Sequence, residues 1–156
     1  MSEIRKTTQY LIPVDKTASA AGEYDIYPVH SLGDGTVFAG FDELAKRISG
    51  CRTVVVDGYV GVRFDDFVSR LNEALVAAGV KALWWSVEAA MKSSEEIDRL
   101  IEPYLGADDP IFGFRSDLSL SDFFDGDKLQ SIKPDKAAEL NIIYGTGASR
   151  AGTGAD

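Results

Sequence analysis

The sequence predicts an α/β fold with a parallel sheet between layers of helix, and three observations carry that expectation. Short apolar runs recur as TVVVD (53–57), VKALWWSV (80–87) and ELNIIYG (139–145). Between them lie stretches whose apolar residues repeat at helical spacing. Successive strands joined by helices pair in parallel, because a crossover brings the chain back to the same end of the sheet.

Residues 1–22 are mixed in character and end in KTASAAG, which reads as a flexible arm, with the folded domain expected over 23–156. YDIYPVHSL, GDG and TVFAG (24–40) predict two short extended segments around a glycine turn, and Pro28 suits an edge position. In FDELAKRISG (41–50), Phe41, Leu44, Ala45 and Ile48 share one helical face, and Gly50 stops the helix. TVVVD follows as a strand of the type buried on both faces. Phe64, Phe67, Val68, Leu71 and Leu75 then make a second helical stripe. Asp65 and Asp66 sit in its first turn, where the helix dipole favours negative charge, and Gly79 closes it.

VKALWWSV is a second buried strand whose adjacent tryptophans face opposite sides of the sheet. Ser93 and Glu96 have capping-box spacing ahead of a helix that turns Ile97, Leu100, Ile101 and Tyr104 inward. Residues 107–135 read as a long loop with short helical turns, and ELNIIYG as the third strand. Gly145 to Asp156 are almost all small or polar, leaving that strand without a covering helix; a continuation beyond Asp156 is expected.

Bulk properties narrow the function. A net charge of −9 over 156 residues disfavours nucleic acid and anionic membrane surfaces as general partners. The start has no secretory-signal pattern, and no apolar run approaches membrane-spanning length, so a cytoplasmic setting is expected. The single cysteine, Cys51, allows no internal disulfide and is expected as a buried or half-buried thiol. The single histidine, His30, removes much of the usual metal and triad chemistry; lying apart from any acidic or cysteine cluster, it reads as an ordinary strand or loop residue, and no metal ligand is assigned.

The strand–glycine turn–helix order at 53–75 is the layout of a phosphate-binding loop (P-loop). Such a loop needs glycines so that backbone N–H groups can turn inward, and a helix N-terminus for partial positive charge. It also needs a lysine for the transferring phosphates and a hydroxyl for Mg²⁺. In GYVGVRFD, Gly58 and Gly61 match the glycine positions, with Tyr59 between them. Arg63, Phe64 and Asp65 stand where a glycine, the lysine and the hydroxyl belong. Two readings compete: an anion cradle in which Arg63 binds phosphate bidentately, or a tight β–α turn that needs the same glycines. Asp57 and Asp65 could hold a cation, or serve as turn cap and dipole partner.

Two other stretches are candidates. ADDPIFGFRSD (107–117) places Asp108 and Asp109 on a long loop, as a base, a cation site or a solvated turn. YGTGAS (144–149) puts Gly145 and Gly147 directly after a strand, at the edge where open α/β sheets bind ligands, or else in a plain exit loop.

IYPVHSLGDGTVFAGFDELA, VVVDGYVGVRFDDFVSRLNEAL, PYLGADDPIFGFR, LSDFFD and LNIIYGTGAS together resemble the N-terminal region of bacterial proteins classed with the class I mannose-6-phosphate isomerases. The resemblance runs from about Tyr24 to Ser149, with DGYVGV and YGTGAS its most distinctive parts. In that family a cupin-like isomerase region with metal-binding histidines follows; it is not in these residues, so the resemblance implies a carbohydrate-metabolism context rather than isomerase catalysis here. More distantly, Asp57-Gly58, Gly61, Asp108-Asp109 and Gly145 are similar to the feature order of uridine-kinase-type small-molecule kinases.

That similarity implies a P-loop NTPase/kinase-like fold, and the departures at 63–65 imply lost or altered phosphoryl transfer. The expected function is nucleotide or phosphorylated-metabolite binding, with Mg²⁺ where a nucleotide or sugar phosphate is held, or regulation of the downstream isomerase-type region. The alternatives are an active nucleoside or sugar kinase with Arg63 replacing the lysine, and a non-catalytic structural or interaction module.

Overall fold

The computed structural model describes residues 20–22, 24, 33, 35–108 and 112–151. The chain divides into two compact units, Met1–Phe38 and Ala39–Asp156. His30 and Pro28, and most of the expected arm, lie outside the described residues. Within the first unit the Thr36 amide and hydroxyl both donate to the Gly33 carbonyl, closing a turn at GDG.

The second unit carries the sheet. Its helices are α1 (Phe41–Ile48), α2 (Phe64–Ala77), α3 (Ser94–Ile101) and α4 (Gly126–Ser131), and its strands are β1 (Thr53–Asp57), β2 (Ala82–Ser86) and β3 (Leu140–Gly145). Short 3₁₀ turns occupy Glu88–Ala90, Glu102–Tyr104, Leu120–Phe123 and Ala148–Arg150. The three strands are parallel in the order β1-β3-β2, with Val55 and Trp85 both level with Ile143.

The helix ends obey local chemistry. Acidic Asp42 and Glu43 begin α1 and basic Lys46 and Arg47 end it, each complementing the dipole. The Ser93–Glu96 capping box forms as expected. Asp125 caps α4 by accepting from the Asp127 and Lys128 amides. At the end of α2 the Gly79 amide reaches the Val76 carbonyl and the Val80 amide reaches Leu75, a reversal of the Schellman kind.

Each face of the sheet has its own core, because consecutive strand residues point oppositely. On one side Ile142 and Leu140 pack with Ala45 of α1 and Leu71, Ala74 and Leu75 of α2. On the other, Ile143 packs with Val87, Ala90, Phe124, Leu129, Ala148 and Ala151. The paired tryptophans divide as the alternation requires: Trp84 meets the Tyr144 ring edge-on, and Trp85 donates its indole N–H to Asn141 at 3.1 Å.

Two expectations need correction. β1 and β2 lie at the two edges of the sheet, so they are half-covered rather than buried on both faces; Val55 is 37% exposed and Leu83 41%. Among the described strands only β3 is enclosed on both sides. Cys51 is exposed, since it lies in the link between α1 and β1 and its amide is tied to the Ile48 carbonyl. Beyond β3, Gly147, Ala148 and Ala151 are buried, because residues without bulk let the chain fold back against Phe124 and Ile143.

Among the described residues no helix is long and apolar enough to cross a membrane.

Candidate functional site at the strand ends

The C-terminal ends of the strands meet two features, a hydrogen-bonded knot and a cleft. The sequence candidates divide between them.

The knot is centred on Asp57, the last residue of β1. Its Oδ1 accepts from the amides of Gly58 and Gly147, each at 2.8 Å. Its Oδ2 accepts from the Ser149 amide at 3.0 Å and from the Ser149 hydroxyl at 2.5 Å. Four donors thus converge on one carboxylate, and they come from both the loop after β1 and the loop after β3. Gly147 has φ +85°, which turns its amide toward Asp57 without the steric cost a Cβ would bring. Partial burial pushes the Asp57 carboxyl up, but the Ser149 hydroxyl and amide and the Gly147 and Gly58 amides outweigh it and hold the group below its ordinary value near 3.8.

A folded-state value below the unfolded one means that Asp57 adds stability above the unfolded carboxyl range. The gain disappears as pH falls through the lowered value. Asp57→Asn is therefore expected to lose about 1–2 kcal/mol at pH 7, discounted for water's access to the group, with the gap to wild type closing below about pH 4. Urea unfolding of both proteins at pH 7 and pH 3 checks this; a gap that persists unchanged at pH 3 would refute the charged role.

The loop between β1 and α2 is partly engaged with itself. The Gly58 amide serves Asp57, the Val62 amide donates to the Tyr59 carbonyl at 3.2 Å, and the Phe64 amide donates to the Val62 carbonyl at 2.9 Å. Phe64, at the place of the P-loop lysine, turns inward: its Cζ lies 3.1 Å from where a Cβ on Gly58 would stand, and its ring is 6.1 Å from that of Tyr144. Glycine at 58 thus leaves room for the close approach of the Phe64 ring to the backbone. Arg63 precedes α2 with no side-chain cap, and Asp65 and Asp66 occupy the first turn.

The cleft beside this loop has a volume of about 520 Å³. Its walls are the β1–α2 loop from Val60 to Asp65, the end of β2 with Ser86 to Glu88, the end of β3 with Tyr144 to Thr146, and the segment holding Leu120, Phe123 and Phe124. Most of the lining is apolar or aromatic; the charged groups are Arg63, Asp65 and Glu88. Position and size fit the general location of small-molecule sites in parallel α/β sheets.

Of the sequence candidates, Gly61, Arg63 and Gly145 line the cleft, while Asp57, Gly58 and Gly147 build the knot next to it. Tyr59 is 89% exposed and lines neither. Asp108 lies in an exposed turn after Glu102–Tyr104 and joins neither feature; Asp109 lies outside the described residues. No group of three or more metal-ligating side chains occurs among the described residues.

Sequence reasoning missed Glu88, Met91, Leu120, Phe123 and Phe124 as lining residues. Glu88 carried a usable signal, since it directly follows a strand at the ligand-binding edge. The aromatic pair carried none, because residues 116–125 read only as loop.

No curated protein and no solved structure matches the chain. A family described as a domain of unknown function (DUF8485) matches residues 40–156, nearly the whole of the second compact unit and most of the chain. The protein belongs to that domain-of-unknown-function family, DUF8485.

Proposed function

We propose that this domain is a small-molecule-binding or regulatory module on a kinase-like α/β scaffold, one that keeps a cleft at the strand ends but does not transfer phosphoryl groups. Its context would be a carbohydrate-metabolism protein of the mannose-6-phosphate isomerase type, a reading supported by the resemblance of the quoted segments alone. The observation that carries the binding role is the 520 Å³ cleft bounded by the loops after all three strands. The loss of phosphoryl transfer is supported by Phe64, whose ring packs toward Gly58 and Tyr144 in the place where a lysine would face a phosphate. Removing one charge-stabilising group from a preorganised site commonly costs about 10²–10³ in rate.

The test is isothermal calorimetry of the full chain with nucleotides, hexose phosphates and the unphosphorylated nucleosides and sugars, with and without Mg²⁺, beside a coupled assay for ATP turnover. Saturable binding of a small molecule without ATP turnover is the expected result. Turnover abolished by Arg63→Ala would replace this reading with an active kinase using an arginine. An absence of any binding would leave only a structural module.

A further inference from the structure

The charge pattern at the cleft mouth specifies the class of ligand, on the premise that the cleft is a binding site. Two carboxylates, Asp65 and Glu88, stand against one guanidinium, Arg63. Among the described residues none of these three side chains forms an ion pair with another, the ion pairs being Arg70 with Asp66 and Lys128 with Asp125. They are exposed at the cleft's edge and remain available to a ligand. The rest of the chain strengthens the sign, with a net charge of −9. A phosphorylated ligand would meet one attracting group and two repelling ones.

The amide groups that would have offset this are partly spent. The Gly58, Gly147 and Ser149 amides and the Ser149 hydroxyl already hold the Asp57 carboxylate, so the fixed donors at this edge face an internal anion. A helix start would also favour an anion, but α2 opens with Asp65 and Asp66, which oppose one.

Below the mouth the walls are aromatic and aliphatic. The Phe64 and Tyr144 rings lie 6.1 Å apart and tilted by 47°, and Phe123, Phe124 and Met91 line the same space. The negative faces of aromatic rings attract organic cations. An apolar, aromatic lining and an excess of carboxylates favour the same chemistry.

We infer that the cleft binds a small organic amine, with an apolar or aromatic body in the cleft and a protonated nitrogen at the Asp65 or Glu88 carboxylate. The Arg63 guanidinium then serves an uncharged acceptor or the edge of an aromatic body. Phosphorylated metabolites bind more weakly at this place than uncharged relatives of the same shape.

A matched series with a single body tests the sign of the charge: tryptamine, tryptophol and indole-3-acetate, with glucose 6-phosphate as the phosphate arm. Titration of the ¹⁵N-labelled full chain, followed by amide shifts at Gly61, Val87, Gly145 and Thr146, reads binding at the cleft itself. Tryptamine is expected to bind about 10-fold tighter than tryptophol, and indole-3-acetate more weakly than either. Glu88→Gln should reduce the preference for tryptamine over tryptophol about threefold.

Equal or tighter binding of indole-3-acetate or glucose 6-phosphate, with shifts at the same amides, would overturn the amine inference and leave the cleft as a binding site. Tryptophol binding with no gain from the amine would also overturn it. Shifts at none of these amides, with any probe, would remove the binding role along with the inference.

Discussion

Asn141→Leu is expected to be among the most damaging single substitutions in the domain, lowering stability by about 3–4 kcal/mol. Asn141 is 1% exposed in the middle strand, the one buried polar side chain of the core among the described residues. Its Oδ1 accepts from the Trp85 indole at 3.1 Å and from the Asp135 amide at 2.9 Å. Its Nδ2 donates to the Asp135 carbonyl at 2.9 Å and more weakly to the Arg52 carbonyl at 3.4 Å.

Leucine has a similar size and belongs by composition in a strand. It nevertheless strands the indole N–H and an amide in a place with little water, and each unmade bond there costs about 1–3 kcal/mol. Chemical denaturation should show a lower midpoint with little change in slope, and a thermal midpoint about 10 °C lower. A variant as stable as wild type would mean that water reaches these donors.

Gly145→Ala is the second large effect, expected near 3 kcal/mol. Gly145 ends β3 at φ +126°, a backbone region that is strained for any residue with a Cβ. An added methyl would also stand 2.7 Å from the Val87 Cγ2, inside van der Waals contact with a side chain that is itself 1% exposed. Strain and overpacking are each worth about 1–3 kcal/mol. A double substitution, Gly145→Ala with Val87→Ala, separates the two. Removing the valine's γ carbons should relieve the clash but not the strain, so the second change should cost less in the alanine background than in wild type. Additive losses would show that the Val87 contact plays no part. Because Gly145 and Val87 both line the cleft, the same pair reports on how rigid its wall is.

These two positions mark where sequence reasoning reaches and where it stops. The stripes Phe41–Ile48 and Phe64–Leu75 carry enough helical spacing to locate α1 and α2, and TVVVD, ALWWS and LNIIYG show apolar content typical of strands. Parallel pairing follows from the helices between them. The strand order does not follow, because TVVVD is as apolar as LNIIYG; what puts the latter in the centre is its contact with both neighbours.

Nothing in the sequence singles out Asn141, and only the tertiary structure brings Trp85 and Asp135 to it. The glycines at 58, 61, 145 and 147 were legible as a rim, since glycines after strands mark turns at the sheet edge. Their purpose was less so: Gly58 accommodates the Phe64 ring, and Gly147 feeds its amide to a carboxylate 90 positions earlier. Phe123 and Phe124 reach the cleft from a segment about sixty residues beyond its first wall, a distance over which local patterning carries no information.

The β1-β3-β2 order has a consequence for how the chain is made. Among the described strands the two outer ones pair only with the central one, which follows both in sequence and is synthesised after them. While the ribosome is still translating the segment before Leu140, β1 and β2 lack the strand they pair with, and helices α1 and α2 lack the Leu140 and Ile142 side chains of their shared core. Loop closure across more than eighty residues then brings Thr53 level with Asn141. A chain truncated before Leu140–Gly145 lacks the strand to which both β1 and β2 pair, and their unpaired apolar edges are exposed to aggregation.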